Sequence, residues 1–310
     1  LTELAVLVAG SLRERSYPEI IMAQTLACAW RDLGRAYRDL ARNNESVDAL
    51  QRADRCLDDH GALAHDRALV RFNLAITFQE LERYTEALEL LKESKEVFRV
   101  HGDTKRLARC GLFEGVLLQR LKQFREAREI YLVLVSSTTN MDQESVAALH
   151  QAIGFCSIEL ADYTTAEANL DQALTLNQQL GKPVEIMKVE LGRGRLLAST
   201  GKHQKAIDQL RPVRRQFFAA GMSEEAGLCG LEVVDAMLAL RKVSQAESLA
   251  RRIIAEFTRA GLNTRAITAL GYLTAAIANR NVPRNLVTQV QEYIVSLRTT
   301  PERDFAYLEA

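Results

Sequence analysis

Proline is scarce in this chain, five among 310 residues. Scarcity of proline suits long helices, because each proline removes a backbone donor and blocks the preceding turn. There is no excess charge of either sign, with 40 Lys and Arg against 40 Asp and Glu. A chain so balanced lacks the means to neutralise many phosphates, so direct nucleic-acid binding is not expected. No apolar run reaches the ~20 residues of a membrane helix. Residues 4–12, LAVLVAGSL, have the apolar core of a signal peptide, but no basic segment precedes them and RER stands on the wrong side. An amphipathic helix fits the same residues. Cysteine is odd in number, five, with no CxxC pair, so a reducing cytoplasm is the simplest setting. The chain opens on Leu1 rather than Met, as part of a longer protein would.

Chemical motifs are also missing. The stretch LLASTGKHQKA (196–206) carries a Gly-Lys pair, but Leu196 stands where a phosphate loop needs its first glycine. His203 follows the lysine where that loop needs Ser or Thr. His60 and His65 are five apart, too far for a helical zinc pair, and His150 and His203 stand alone. Cys110, Cys156 and Cys229 fall where a small apolar residue packs well. No catalytic set, metal site or cofactor is expected.

What the chain does hold is a repeat. ARNNES (41–46), ERYTEA (82–87), KQFREA (122–127), ADYTTA (161–166), GKHQKA (201–206) and RKVSQA (241–246) recur at intervals of 39 to 41 residues. Each ends on a small residue: Ser46, Ala87, Ala127, Ala166, Ala206, Ala246. Four positions later stand Leu50, Leu91, Tyr131, Leu170, Leu210 and Ala250, and three further Ala53, Ser94, Leu134, Ala173, Val213 and Ile253. A spacing of four then three is one face of a helix. Gly201 therefore opens a turn between two packed helices. A second marker has the same interval: Gly61, Gly102, Asn140, Gly181, Gly221 and Gly261 tolerate the left-handed conformation that ends a helix. Start signals follow at Asp103, Asp142, Pro183, Ser223 and Asn263.

Upstream of the first turn, Trp30, Leu33, Gly34 and Tyr37 followed by Ser46, Leu50 and Ala53 resemble the tetratricopeptide (TPR) pattern W-x2-L-G-x2-Y, then small-x3-large-x2-small. Later copies keep the phase with looser letters, as at Leu74-Ala75-Phe78, Ile153-Gly154 and Val233-Met237. The resemblance implies an all-α, right-handed superhelical solenoid of about seven helix pairs, similar to the TPR regions of bacterial MalT-type regulators. The repeats are expected at 17–61, 62–102, 103–140, 141–181, 182–221, 222–261 and 262–298. Residues 1–16 then form the second helix of a truncated preceding pair, started anew by Ser16 and Pro18, and 299–310 form a tail, loosely attached or packed back. Polar Gln289, Gln291 and Glu292 suit an outer face on the terminal pair. Because the TPR interval is ordinarily 34, the extra residues are expected to lengthen the first helix of each pair, deepening the groove that first helices line.

Carrying TPR peptide-contact positions onto this sequence gives a candidate groove. It holds Arg31, Arg35, Arg38, Asn73, Gln79, Arg109, Gln119, Gln151, Phe155, Lys188, Arg195, Glu232 and Asp235. The first three arginines share a helix face. A groove basic at its N-terminal part favours an acidic peptide or protein partner, and an ordinary solvated face is the alternative. Glu114 and Arg193 occupy slots for large apolar residues, so each needs a partner, either as a polar tie within the stack or from a ligand. The expected role is a non-catalytic sensor, scaffold or regulatory part of a larger cytoplasmic bacterial protein. The alternative is an oligomerisation module for a fused effector or DNA-binding domain.

Overall fold

The computed structural model describes residues 2–11, 17–58, 61–136, 141–283 and 285–306. Among them are fifteen α-helices and no strand. The chain divides into two compact units, Leu1–Leu134 and Val135–Ala310. The first holds α1 (Thr2–Ser11), α2 (Glu19–Asp39), α3 (Asn43–Cys56), α4 (Ala64–Glu80), α5 (Tyr84–Val100), α6 (Thr104–Arg120) and most of α7 (Phe124–Ser136). The second holds α8 (Gln143–Glu159), α9 (Tyr163–Gln179), α10 (Pro183–Ser199), α11 (His203–Ala219), α12 (Ser223–Ala239), α13 (Val243–Arg259), α14 (Thr264–Ala278) and α15 (Leu286–Ser296). In each unit consecutive helices pack against one another, and first helices also touch first helices, as α2 touches α4 and α10 touches α8 and α12.

The packing follows a small-on-large rule. A Cβ built on Gly34 would lie 2.7 Å from Leu50, and one on Gly154 would lie 2.8 Å from Leu170. The glycine on the first helix thus receives the large residue of the second. The sixth pair reverses the sizes, with Val234 on the first helix and Ala250 on the second, both fully buried.

Turns require a left-handed residue. Gly102, Gly181, Gly221 and Gly261 provide it between pairs, at φ 63° to 75°. Gly201 provides it within a pair, where the other copies use Ala41, Glu82, Lys122, Ala161, Arg241 and Arg280 at φ 53° to 59°. At such a turn the Lys202 N–H donates to the Leu197 carbonyl at 2.9 Å, satisfying a carbonyl the helix end leaves open. Gly61 departs from the set: it opens a short 3-10 segment, Gly61–Leu63. Asn140, His60 and Ser16 lie outside the described residues. Asp103, Asp142 and Asn263 cap their helices through the side chain, and Pro183 is the first helical residue. Ser223 does not cap; it is already helical, and Met222 precedes it.

One expectation is corrected. The first helices are not selectively lengthened: α4 and α5, like α8 to α13, have 17 residues each. Two helices that bury a common apolar stripe gain only over the length they share, so the added residues divide between them. Unequal pairs occur at the two ends, and α14 has 15 residues against 11 in α15. Helix α2 has 21 residues against 14 in α3, and its overhanging start leaves Ile20 and Ile21 exposed at 38% and 49%.

At the C-terminal end, α15 packs on α14 and also on α12. Leu286, Val287, Val290 and Ile294 enter the same core as Leu231 and Val234. Gln291 is not an outer residue. Its amide donates to the Leu228 carbonyl at 3.5 Å and to Glu232 at 3.1 Å, both on α12. Arg298 reaches Glu224 and Glu225 at the start of α12. The segment after α15 packs back, with Phe305 against the core.

Candidate functional site

In the first unit the first-helix face is built on α2, α4 and α6. Arg31 meets Asp32 at 3.2 Å and Arg35 lies 3.8 Å from the same carboxylate, so both are answered on their own helix. Arg38 is different. Half-buried, it donates to the main-chain carbonyl of Asn73 at 3.3 Å and has no carboxylate partner among the described residues. Burial pushes its pKa down; Arg35 and Arg109 add repulsion, while Asp39 and Glu80 oppose the shift from further off. Arg109 likewise has no carboxylate partner among the described residues; its guanidinium lies 5.5 Å from the Phe72 ring centre. Phe72 in turn meets Phe113 edge-on at 5.8 Å. The face therefore offers two cations, of which Arg109 lies beside an aromatic pair. Asn73 turns its amide N–H onto the Leu69 carbonyl at 2.7 Å. Gln79 is half-buried near the end of α4. Gln119 does not join them: it accepts from the Tyr131 hydroxyl at 3.1 Å, facing the second helix of its own pair.

In the second unit the candidates form a self-satisfied ladder. Arg195 sits 5.9 Å from the Phe155 ring and binds Glu232 at 2.6 Å, and Glu232 accepts from Gln291 of α15. Glu232 is thus occupied from both sides and is not an open acidic contact. Asp235 is solvent-exposed, yet crowding by protein pushes its pKa up, with the Glu232 charge adding to the rise. Lys188 is exposed and pairs with Glu185 at 2.8 Å, and Gln151 is half-buried.

Residues 65–133 match the family model of the tetratricopeptide repeat. The fold is a TPR fold. Among solved structures, the chain is similar to a signal-transduction ATPase with numerous domains (STAND) that carries a TPR sensor, from Pyrococcus horikoshii. The identity is 15%, covering 97% of this chain and 49% of that one, with a TM-score of 0.65. A Rap protein solved with competence and sporulation factor matches at 12% identity over 92% of this chain and 80% of its own, TM-score 0.55. Aspartyl phosphate phosphatase F from Bacillus subtilis matches at 11% identity over 76% and 64%, TM-score 0.60. A search of curated protein sequences finds no match.

The TPR frame explains the two charged residues in apolar slots. Glu114 on α6 is bound by Lys95 on α5, and Arg193 on α10 lies 3.5 Å from Asp171 on α9. Both tie a first helix to the second helix of the preceding TPR pair. Two further polar ties left no trace in the repeat pattern. Asp54 on α3 accepts from Arg67 at 3.0 and 3.1 Å and from Arg71 at 3.0 Å, both on α4. Arg214 on α11 meets Glu256 on α13, with side chains only 11% and 12% exposed. Gly230 of α12 makes room for that pair, since a Cβ there would lie 2.9 Å from the Arg214 Nε.

Proposed function

We propose that this chain is a non-catalytic TPR module that binds a protein or peptide, and that an acidic segment docks on the first-helix face of the first unit. The observation that carries the reading is the pair Arg38 and Arg109, both without a carboxylate among the described residues. A guanidinium partly removed from water gains from a planar anion that makes two parallel hydrogen bonds with it. The half-buried Phe113 supplies apolar surface for the neighbouring side chain, with Phe72 buried behind it. The face is formed before a partner arrives, which limits the ordering cost of binding. A role as the sensor or regulatory part of a larger protein is supported by the similar structure that is named for a TPR sensor, and the same proposal places that larger protein in a bacterial cytoplasm.

A panel of fluorescein-labelled peptides, acid-rich and neutral, tests this by anisotropy. Acid-rich peptides are expected to bind more tightly, with affinity falling as salt rises. Arg38→Ala with Arg109→Ala should weaken them roughly 30-fold, about 2 kcal/mol, and Arg35→Glu should weaken them without loss of helix. Equal binding of neutral peptides, or an unaffected double variant, would end the reading.

A second reading, self-association, is favoured by one observation. Helix α1 turns Val6 and Ala9 inward and leaves Leu4, Leu7 and Val8 exposed at 58%, 70% and 54%. Light scattering over a dilution series separates the two, because a monomer at every concentration removes this second reading.

A further inference from the structure

The segment after α15 is held as a bound peptide is held. Asn263, at the start of α14, donates through its amide to the Pro301 carbonyl at 3.0 Å, and Arg265 donates to the same oxygen at 3.2 Å. Arg265 also grips two acids, Glu302 at 2.6 Å and Asp304 at 3.2 Å. The Tyr293 hydroxyl donates to the Arg303 carbonyl at 2.7 Å. Phe305 then seats its ring 5.0 Å from Tyr293, edge-on, and 6.0 Å from Tyr272.

These contacts divide into two kinds. Asn263, Arg265 and Tyr293 read the main-chain carbonyls of a segment folded into a turn, which the Arg303 N–H closes by donating to the Thr300 carbonyl at 3.1 Å. Arg265 and the two tyrosine rings read side chains, and they demand an acid, a second acid two places on, then an aromatic ring. Glu302 and Asp304 remain 93% and 90% exposed at their side chains, so the segment lies on the surface rather than inside the core. The grip is chemically specific yet shallow. Exposed ion pairs of this kind add little to stability, which suits a segment that comes away.

We propose that Asn263, Arg265, Tyr272 and Tyr293 form a peptide-docking site at the end of the second unit, whose resident is the chain's own segment Pro301–Phe305. A protein segment that makes the same turn and carries the order acid-x-acid-Phe displaces it. The site is independent of the arginine face of the first unit, and each stands or falls alone. The tail competes in cis: a tethered segment faces its site at a high effective concentration, so a visitor must be abundant or must meet a loosened tail.

The test uses the full chain and a fluorescein-labelled peptide of residues 299–306, TTPERDFA. Substituting Glu302→Ala, Asp304→Ala and Phe305→Ala together vacates the site without touching it. The labelled peptide should then bind roughly tenfold more tightly than to the native chain. Adding Arg265→Glu should abolish that gain, and a peptide with Glu302→Gln and Asp304→Asn should bind roughly fivefold more weakly. An unrelated peptide, GGPEKDFG, should bind within about threefold of the chain's own sequence, because the recognition is of class rather than identity. Equal affinity for native and vacated chains, insensitivity to Arg265→Glu, or failure of the unrelated peptide overturns the proposal. Should the vacated chain lose helix content, Arg265→Glu alone provides the check. Trypsin should then cut after Arg303 roughly fivefold faster than in the native chain, and unchanged cutting overturns the proposal equally.

Discussion

At the scale of single residues, the turns and caps give the sharpest expectations. Six non-glycine residues take up the left-handed turn that Gly201 takes up in the fifth pair. A side chain in that region costs ~1–2 kcal/mol, partly recovered because glycine makes the unfolded chain more flexible. Lys122→Gly or Arg241→Gly should therefore raise stability by up to about 1 kcal/mol, while Gly201→Ala should lower it by ~1 kcal/mol, measured by urea unfolding. Burial opposes ionisation of Asp103, but the Arg106 main-chain N–H, its guanidinium and His65 outweigh it and hold the carboxyl at about 2. A depressed carboxyl stabilises the fold above its unfolded value of 3.8, and that contribution fades as pH falls from there toward about 2. Asp103→Ala should remove this part of the acid sensitivity and the cap with it. Asp235 has the opposite sign. Its raised pKa favours the protonated form in the folded chain, so its ionisation costs stability once pH rises past the unfolded value. Asp235→Asn should raise the Tm at pH 7 and leave it nearly unchanged at pH 3.

At the scale of helices, the buried Arg214–Glu256 pair links the second helices of neighbouring pairs. Glu256→Ala strands a guanidinium in the core and should cost about 3–5 kcal/mol, whereas replacing Arg214 by Met and Glu256 by Leu together should be close to neutral. Thermal unfolding of the single and double variants checks this, and equal losses in both would show that the charge is not the cause. The helices themselves were legible in the sequence because their signals are local. A small residue, then a large one four places on, marks an α-helical face whatever lies beyond it, and Leu50 and Leu170 do dock on Gly34 and Gly154. Helix length was not legible, because it depends on how far two helices cover each other. The candidate face was legible only in part. Position in the repeat placed Arg38, Arg109, Phe155, Arg195 and Glu232 on first helices, but it could not show that Gln291 of α15 answers Glu232 or that Gln119 turns to Tyr131. Those contacts join residues 59 and 12 positions apart, and no periodic pattern encodes them.

At the scale of the whole chain, each unit is a stack in which a helix touches mainly its chain neighbours, so neither has a single nucleus on which everything depends. Leu170→Ala, which empties the space beside Gly154, should cost roughly 3 kcal/mol within its own pairs and split denaturant unfolding into two phases. One transition of undiminished steepness would instead show that coupling runs further than adjacent helices. The balanced charge gives no long-range field to gather a partner from afar. Selectivity must then come from contacts made at close range, on the arginine face or at the tail site.

The equal helices and the recurring left-handed glycines carry an evolutionary corollary. Gly181 and Gly221 present the same hinge to whatever helix comes next, so excising the forty residues between them would rejoin α9 to α12 through a junction of unaltered shape. A gene encoding such a chain can gain or lose whole pairs as interchangeable modules. An insertion inside a helix would instead rotate the rest of that helix's buried face away from its neighbour.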